Sequence, residues 1–214
     1  MVLELITAVE QADSADRLLR AVQALAAARD EAAIPTLMKV LSYNNPGAAI
    51  AAVEGLVSLG TVAVEALLQL DSYNYGARAW AIRALAAIGD PRGLKILLDA
   101  ATNDFALSVR RAATRGLGTI RWHELPTTEV AHTQLQTWQT LFTASQDPEW
   151  VVRYAAVVAI QGLLAEVVAT PPDWFSAGMA RLEEIVVTDR VLAVQARALL
   201  AKQSLQEQQL VICS

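Results

Sequence analysis

Arginine and aromatic side chains are interleaved over a short stretch near the middle of the 214-residue chain. Such a mixture can grip a flat, conjugated anion, because guanidinium groups pair with carboxylates and aromatic rings stack on the conjugated plane. The same side chains could equally fill the core of a helical protein. The stretch contains Tyr73, Tyr75, Arg78, Trp80 and Arg83, and a second mixed group follows at Phe105, Arg110, Arg121 and Trp122.

The charge of the chain is uneven along the sequence. Its formal net charge is −5, yet residues 76–122 contain eight Lys and Arg against three Asp and Glu. A sequence pI near 5.1, without a basic stripe along the whole chain, argues against nucleic-acid binding. A local excess of cations instead favours an anionic ligand of limited size.

A structural interpretation competes for three of these arginines, Arg78, Arg110 and Arg153. Asp104 stands six residues before Arg110, and Asp147 stands six residues before Arg153. Each arginine could therefore pair with an acid or a carbonyl at the turn of its own repeat. The sequence leaves open whether these arginines bind a ligand or hold the fold.

Built-in catalytic residues are not evident, and the sequence assigns none. His123 and His132 lie nine positions apart across a proline-containing break, and no set of residues has the spacing of a zinc site. The run 116–118 (GLG) lacks the third glycine and the preceding strand of a dinucleotide site. His123 as a general acid or base competes with a hydrogen-bonded structural histidine. No metal site and no permanently bound cofactor are expected.

The elements that would position these side chains are repeated helix pairs. Gly47, Leu56 and Gly60 recur 29 positions later as Gly76, Leu85 and Gly89, and looser copies follow to the end of the chain. A unit that returns every thirty to forty residues or so is typical of stacked helical repeats. The predicted fold is all-α, a right-handed alpha-alpha superhelix of HEAT-like repeats, forming one domain over residues 1–214 with about five to six helix pairs.

Partner helices are predicted between the repeat helices, where apolar residues recur at helical spacing. Turn residues that cannot continue a helix support these boundaries, for example Gly89-Asp90-Pro91. No run alternates apolar and polar residues as a strand would. The predicted partner helices cover residues 34–41, 62–70, 94–101, 130–142 and 174–187.

The cellular location is expected to be cytoplasmic. The apolar run 151–168 is interrupted by Arg153 and Glu166, which fits a buried repeat helix better than a membrane span. The first residues include Glu4 and no basic region, so no secretory signal is expected. A single cysteine, Cys213, excludes an internal disulfide.

Three runs of this sequence resemble the HEAT-like bilin lyases of cyanobacteria, and within them the smaller, F-type subunits of heterodimeric lyases. They are residues 43–49 (YNNPGAA), 73–80 (YNYGARAW) and 104–111 (DFALSVRR). The similarity extends over nearly the whole chain and is strongest from about Arg29 to Trp122. Single HEAT-like motifs are unspecific, whereas the second and third runs together are more specific.

This resemblance implies a chaperone-like transferase that works with an E-type lyase subunit. Phycocyanobilin would be the transferred substrate, attached through a thioether to a cysteine of the phycocyanin alpha subunit. The nucleophile would belong to the acceptor, which accounts for the missing catalytic residues. The bilin would then be held by Arg78, Arg83 or Arg110 at its propionates, by Tyr73, Tyr75 and Trp80 at its rings, and by Asp71 or Asp104 at its protonated nitrogens.

The resemblance also bears on the type of reaction. Related lyase-isomerases are expected to carry a His-Cys pair near the second repeat, where this chain has residues 73–76 (YNYG) and neither residue. Ligation without isomerisation is therefore favoured. Three alternatives remain: a phycobilisome disassembly or bilin-detachment factor, a non-catalytic HEAT-repeat scaffold, and a lyase for phycoerythrin with another bilin.

Dependence on a partner is expected from the ends of the repeat array. The last repeat lacks a clearly polar cap, and the first residues are also apolar, so another chain is expected to cover them. A stable heterodimer is therefore predicted, with the bilin cavity shared with or completed by the other subunit. The apolar residues at the two ends are Val2, Leu3, Leu5, Ile6, Val191, Leu192, Val194, Leu199, Leu200 and Leu205.

Overall fold

Helices make up the secondary structure of the residues that the structure, a computed structural model, describes: 1–69 and 74–213, with the side chain of Cys213 excepted. No β-strand occurs within these ranges, in agreement with the sequence prediction. The chain divides into two compact units, unit 1 over Met1–Gly93 and unit 2 over Leu94–Ser214. The prediction that residues 1–214 form a single domain stays a prediction.

Unit 1 contains three consecutive helix pairs among its described residues. In each pair the two helices pack on each other, and the second helices, α2, α4 and α6, also pack side by side. Alanines fill much of this contact, for example Ala48, Ala52 and Ala77, which are fully buried. Their small side chains let the helices approach closely. The helices are α1 Val2–Glu10, α2 Ala15–Ala27, α3 Ile34–Val40, α4 Pro46–Leu59, α5 Val64–Leu68 and α6 Tyr75–Ile88.

Unit 2 repeats this arrangement with longer helices. Its first helices, α7, α9 and α11, form one layer, and its second helices, α8, α10 and α12, pack side by side in the other layer. All five predicted partner helices are found, and their boundaries differ from the prediction by a few residues. The helices of unit 2 are α7 Leu94–Asn103, α8 Leu107–Gly116, α9 Thr127–Ala144, α10 Trp150–Val167, α11 Phe175–Thr188 and α12 Leu192–Cys213.

Local signals set the helix ends as the sequence predicted. The Asn45 side chain accepts a hydrogen bond from the backbone N–H of Ala48 (3.0 Å), and Pro46 occupies the first helical position of α4. At the other end of α6, Gly89 adopts the left-handed conformation with φ 70°, which a glycine tolerates without strain. These caps explain why the breaks recur at the same place in successive repeats.

Two apolar stretches, Pro46–Leu68 and Trp150–Val167, are long and apolar enough to cross a membrane by length and composition alone. The first stretch is not one helix, because α4 ends at Leu59 and a 3-10 turn begins at Gly60. The second stretch is α10, which packs between α8 and α12. Its Val152, Ala156 and Ile160 are fully buried, so the prediction of a buried repeat helix is confirmed.

An alternating series of aspartates and arginines, here called the Asp–Arg ladder, links the second helices of unit 2. Arg110 Nε donates to Asp147 Oδ2 (2.8 Å), and Arg153 Nε donates to Asp189 Oδ2 (2.7 Å). The Nη1 groups of the two arginines donate to backbone carbonyls at the start of their own helices, at Asp104 and Phe105 and at Asp147 and Pro148. Each arginine therefore joins two consecutive repeats.

The ladder confirms the structural interpretation of Arg110 and Arg153 and extends it. The sequence expected each arginine to tie to an acid or a carbonyl at the turn of its own repeat, and the residue six positions before each arginine does accept through its backbone carbonyl. Each arginine also binds a carboxylate. The carboxylate comes from the next repeat, and it also accepts a backbone N–H two residues further on, as Asp189 does from Val191 (2.9 Å). At the last step Gln195 takes the place of an arginine and donates to the Asp189 carbonyl.

A close backbone contact holds the turn that follows α8 against α10, its neighbour in the same layer. A Cβ atom on Gly162 would lie 2.3 Å from the Gly118 carbonyl oxygen, and one on Gly118 would lie 2.4 Å from the Ala159 Cα. Real Cβ contacts are not this short, and backbone atoms cannot move aside as a flexible side chain can. Both positions therefore require glycine.

We expect Gly162→Ala to lower the free energy of unfolding by about 1–3 kcal/mol, despite the better helix propensity of alanine, because the new methyl group collides with backbone. Urea unfolding followed by circular dichroism measures this change. Gly47→Ala is the matched control, since its Cβ would have no neighbour nearer than 3.5 Å. An equal effect of both substitutions would contradict the close contact.

The ion pair at Asp189 predicts a pH dependence of stability. The hydrogen bond from Arg153 lowers the pKa of Asp189, and the N–H of Val191 assists, against an opposing effect of burial. A lowered pKa in the folded state means that the stabilisation is complete above the unfolded value of about 4 and is lost as the pH falls through the folded value.

We therefore expect Asp189→Asn to lose about 3 kcal/mol of unfolding free energy at pH 7, because it leaves the largely buried Arg153 guanidinium unpaired. The loss relative to the wild type should shrink below pH 4. Denaturant unfolding of both proteins between pH 7 and pH 3 measures it, and a pH-independent difference would contradict this assignment.

Candidate functional site

The first candidate residues lie at the start of α6. The Asn74 side chain caps this helix by accepting a hydrogen bond from the N–H of Ala77 (3.1 Å), so the helix begins directly after the YNY run. This cap places Tyr75 in the first turn, where its side chain is exposed. Asp71 and Tyr73, two residues that the sequence singled out, lie outside the described residues.

Trp80 and Arg83 form the best-defined contact of the predicted site. The guanidinium carbon of Arg83 lies 4.4 Å from the centroid of the Trp80 ring, which is the geometry of a cation–π interaction. Both side chains are half-buried. A guanidinium held over an indole ring combines a hydrogen-bond donor for a carboxylate with an aromatic surface. These are the two features that the sequence predicted for binding a conjugated anion.

Helix geometry places Tyr75 between Arg78 and Arg83 around the axis of α6. At 100° per residue, Arg78 lies roughly 60° from Tyr75 on one side and Arg83 roughly 80° on the other, so the two arginines are roughly 140° apart. Arg78 lies on the side of the buried Ile82 and Leu85. In the repeat alignment it occupies the position of Arg110 and Arg153 in the Asp–Arg ladder.

Asp104 and Arg110, the candidates in unit 2, are already engaged within that unit. The Asp104 carboxylate accepts the N–H of Ala106 (2.9 Å), and its carbonyl accepts Arg110 Nη1 (2.9 Å). Arg110 Nε and Nη2 both donate to the carboxylate of Asp147. This hydrogen bonding raises the pKa of Arg110 above its ordinary value, against the opposing effect of burial. Arg110 would have to leave these partners to bind a propionate.

Within residues 94–122, three exposed cations have no ion pair or hydrogen bond from their side chains to the described residues: Lys95 on α7 and Arg111 and Arg115 on α8. The sequence counted them in the local excess of positive charge without giving them a role. For the two arginines, the spacing from the ladder aspartate could have predicted a shared face, because Arg111 and Arg115 follow Asp104 by seven and eleven residues. The equivalent position after Asp147 is Tyr154, which is 37% exposed.

Open grooves occur near both ends of the described chain. Near the N-terminal end, a groove of about 490 Å³ lies between the end of α1, the start of α2 and the turn at Tyr43 and Asn44. Near the C-terminal end, a groove of about 530 Å³ lies between the ends of α10 and α12 and is lined by Val168 and Val211 among others. Within residues 1–69 and 74–213, no group of three or more His, Cys, Asp or Glu side chains could hold a metal ion.

The terminal apolar residues that the sequence singled out differ in their exposure. Val194 and Leu205 are fully buried inside unit 2, whereas Leu192, Leu199 and Leu200 are exposed on α12. At the other end Leu3 is exposed. An apolar surface is therefore present at both ends of the chain, on fewer residues than the sequence indicated.

Comparison with protein families identifies the repeats. Residues 63–118 match the family of HEAT repeats, and residues 18–43 match the PBS lyase HEAT-like repeat. These matches confirm the all-α, HEAT-like repeat fold that the sequence predicted.

Curated relatives extend over most of the chain. It is 54% identical over 207 residues to the phycocyanobilin lyase subunit beta of Pseudanabaena tenuis, which covers 95% of this chain and 73% of that protein. It is 51% identical over 192 residues to the phycocyanin alpha phycocyanobilin lyase CpcF of Synechocystis sp. PCC 6803, which covers 88% of this chain and 90% of that protein. These identities confirm the family that the sequence resembled.

A solved structure agrees with these relatives. The complex of CpcE and CpcF of phycocyanin lyase from Nostoc sp. PCC 7120 contains a chain that is 52% identical to this one, with a TM-score of 0.73. The match covers 81% of this chain and 99% of that chain. The similarity therefore holds in three dimensions as well as in sequence.

The contact between Trp80 and Arg83 predicts a small, measurable coupling. In a double-mutant cycle with Trp80→Leu and Arg83→Met, we expect an interaction free energy of about 0.5–1 kcal/mol, because the pair is partly exposed. Thermal or urea unfolding of the four proteins measures this term. Strictly additive changes in the free energy of unfolding would contradict a stabilising cation–π contact. If the total change in stability is small, the variants stay folded and can be used in activity assays.

Proposed function

This chain belongs to the phycocyanobilin lyase beta-subunit family, and we propose that it acts with an E-type subunit to attach phycocyanobilin covalently to phycocyanin. The acceptor is a cysteine of the phycocyanin alpha subunit, and the product bond is a thioether. The observation that carries the proposal is identity above 50% over nearly the whole chain to proteins with these names. The similarity to a chain of the CpcE–CpcF complex supports the need for a partner.

The chemistry of this attachment makes modest demands on the lyase. The acceptor thiol adds across the exocyclic double bond of an ethylidene side chain, so sulfur bonds to the exocyclic carbon and a proton ends on the adjacent ring carbon. Atoms and electrons balance without an oxidant or a reductant. The lyase must hold the bilin in a reactive conformation, shield the double bond from other thiols and water, and admit the acceptor. A chain without its own nucleophile suits this task.

The side chains at the start of α6 are the proposed bilin contacts in unit 1. Arg83 and Arg78 would pair with propionates, because a charge-assisted bond between guanidinium and carboxylate is stronger than a neutral one. Trp80, Tyr75 and Tyr73 would contact the pyrrole rings. The preformed contact between Arg83 and Trp80 supports this assignment, since one unit then offers both a cation and a ring.

The remaining proposed contacts are Asp71 or Asp104 for the protonated pyrrole nitrogens and Arg110 as a third propionate candidate. Arg110 ranks below Arg83, because its donors are held by Asp147 and by two carbonyls. The Asp104 carboxylate already accepts the Ala106 N–H and would have to accept a pyrrole N–H of the bilin as well.

Three further features belong to the proposal. The bilin is a transferred substrate, so no permanently bound cofactor is required. Ligation proceeds without isomerisation, because residues 73–76 lack the His-Cys pair expected of lyase-isomerases. A cytoplasmic location is also proposed, since the two stretches that could cross a membrane are each about half buried in the protein.

Co-expression tests the function directly. The chain is produced with an E-type subunit, the phycocyanin alpha subunit and a phycocyanobilin source, and covalent chromophore is scored by zinc fluorescence on denaturing gels and by absorbance. Covalent product that requires both lyase chains supports the proposal. Loss of chromophore from a pre-loaded alpha subunit would indicate detachment instead, and a folded complex with neither activity would indicate a scaffold.

For the binding residues, we expect Arg83→Met and Arg78→Met each to reduce bilin transfer by about tenfold or more, because a lost charge-assisted hydrogen bond is worth about 1.5–3 kcal/mol. The initial rate of covalent product with purified subunits measures the effect. Lys95→Met is the control, because it removes an exposed, unpaired cation of unit 2. Transfer within twofold of wild type in a folded Arg83→Met protein would remove Arg83 from the site.

A further inference from the structure

Unit 2 exposes an unusual set of side chains on one face of its second helices, here called the α8–α10–α12 face. The residue three positions after each ladder aspartate is large and apolar: Leu107, Trp150 and Leu192. These side chains are 43%, 45% and 79% exposed. Apolar residues of this size occur singly on most surfaces, but here they occupy the same repeat position in three adjacent helices.

The Asp–Arg ladder fixes the common direction of this face. Asp104, Asp147 and Asp189 each accept the N–H two residues further on, and the arginines between them hold the three helix starts in one register. Equivalent positions of α8, α10 and α12 therefore point the same way. One turn further along each helix, at seven residues after the aspartate, the side chains on α8 and α10 are Arg111 and Tyr154.

The chemistry of the face changes across the three helices. On α8 it is cationic, with Arg111 and Arg115 one turn apart and both without a partner among the described residues. On α10 it is aromatic, with Trp150 and Tyr154, and on α12 it is aliphatic, with Leu192 and Leu200, the latter 58% exposed. Neighbouring helices lie roughly 8–10 Å apart, so the face spans about 20 Å, enough to seat one helix of another protein.

These residue types fit a protein surface better than a small ligand. Trp, Tyr and Arg side chains, all three of which occur on this face, supply much of the binding energy of protein interfaces. Two arginines one turn apart complement two carboxylates at the same spacing on a facing helix. The face is also open, since the side chains of Leu107, Trp150 and Leu192 are largely accessible to solvent.

We infer that the α8–α10–α12 face docks the acceptor protein, through a helix whose apolar stripe packs on Trp150, Tyr154 and Leu192 and whose carboxylates pair with Arg111 and Arg115. The inference rests on the proposed function, because the acceptor is the phycobiliprotein subunit whose cysteine receives the bilin. It assigns these residues to acceptor recognition and not to bilin binding.

The charges favour the acceptor over the permanent partner subunit. Permanent interfaces are depleted in charge at their centre and resemble a protein core, whereas transient ones keep charges that speed and orient the encounter. Arg111 and Arg115 place two unpaired charges beside the aromatic residues. At the end of α12 the exposed side chains of Leu210, Val211 and Ile212 are aliphatic, and this segment fits a permanent partner better.

The test uses the complete lyase complex and an acceptor subunit whose bilin-binding cysteine is replaced, so that binding is measured without chemistry. We expect Arg111→Glu with Arg115→Glu to weaken acceptor binding by about tenfold or more at low salt and by less at high salt. Trp150→Ala should weaken binding about tenfold with little dependence on salt. Lys95→Glu, the same charge reversal at one site on the other helix layer, should stay within about twofold of wild type.

Co-purification of the partner subunit and retention of bilin are measured on the same variants, with circular dichroism to establish folding. Weakened acceptor binding with partner and bilin both retained supports the inference. Loss of the partner subunit, loss of bilin with acceptor binding intact, or unchanged acceptor binding would each overturn it. A wild-type complex that binds the acceptor with this mutational pattern but transfers no bilin would refute the lyase function and leave the docking face standing.

Discussion

The ion pair of Arg110 with Asp147, repeated by Arg153 with Asp189, is the constraint on which the geometry of unit 2 depends. Each arginine binds a carboxylate of the next repeat and two carbonyls of its own repeat, so it fixes the distance between the starts of the two helices. Largely buried ion pairs add little net stability over apolar residues, because desolvation offsets much of the attraction. Their value here is in register, since a helix displaced by one turn would leave a guanidinium and a carboxylate unpaired.

Two consequences of this register reach the rest of the unit. The fixed offset between α8 and α10 brings the Gly118 carbonyl against Gly162, where only a glycine leaves room. The same offset aligns Leu107, Trp150 and Leu192 on one surface. In a helical repeat, the same capping pattern at each helix start thus brings equivalent side chains onto one surface, because equivalent positions of successive helices point in the same direction.

The proposed sites for the bilin and for the acceptor lie on different helices, which suits a reaction that requires positioning of the two reactants more than catalytic groups. Addition of a thiol to an ethylidene group requires no nucleophile from the lyase. In the proposed function the side chains of α6 hold a conjugated dianion, and Arg83, which already contacts Trp80, would bind it with little rearrangement. The exposed face of unit 2 carries a different chemistry, suited to the protein that supplies the thiol.

The sequence by itself determined the helices, their ends and the repeat, because caps such as Asn45 and Asn74 and the apolar periodicity act within a few residues. It also indicated the family, through the runs at residues 73–80 and 104–111, and it placed Trp80 and Arg83 within one turn of each other. Only the tertiary structure decided the partner of Arg110, which lies 37 residues away on the next repeat. The tertiary structure likewise decided which terminal leucines are exposed and that Trp150 shares a face with Arg111. Both depend on how separate helices stack, which the spacing of residues within one helix does not show.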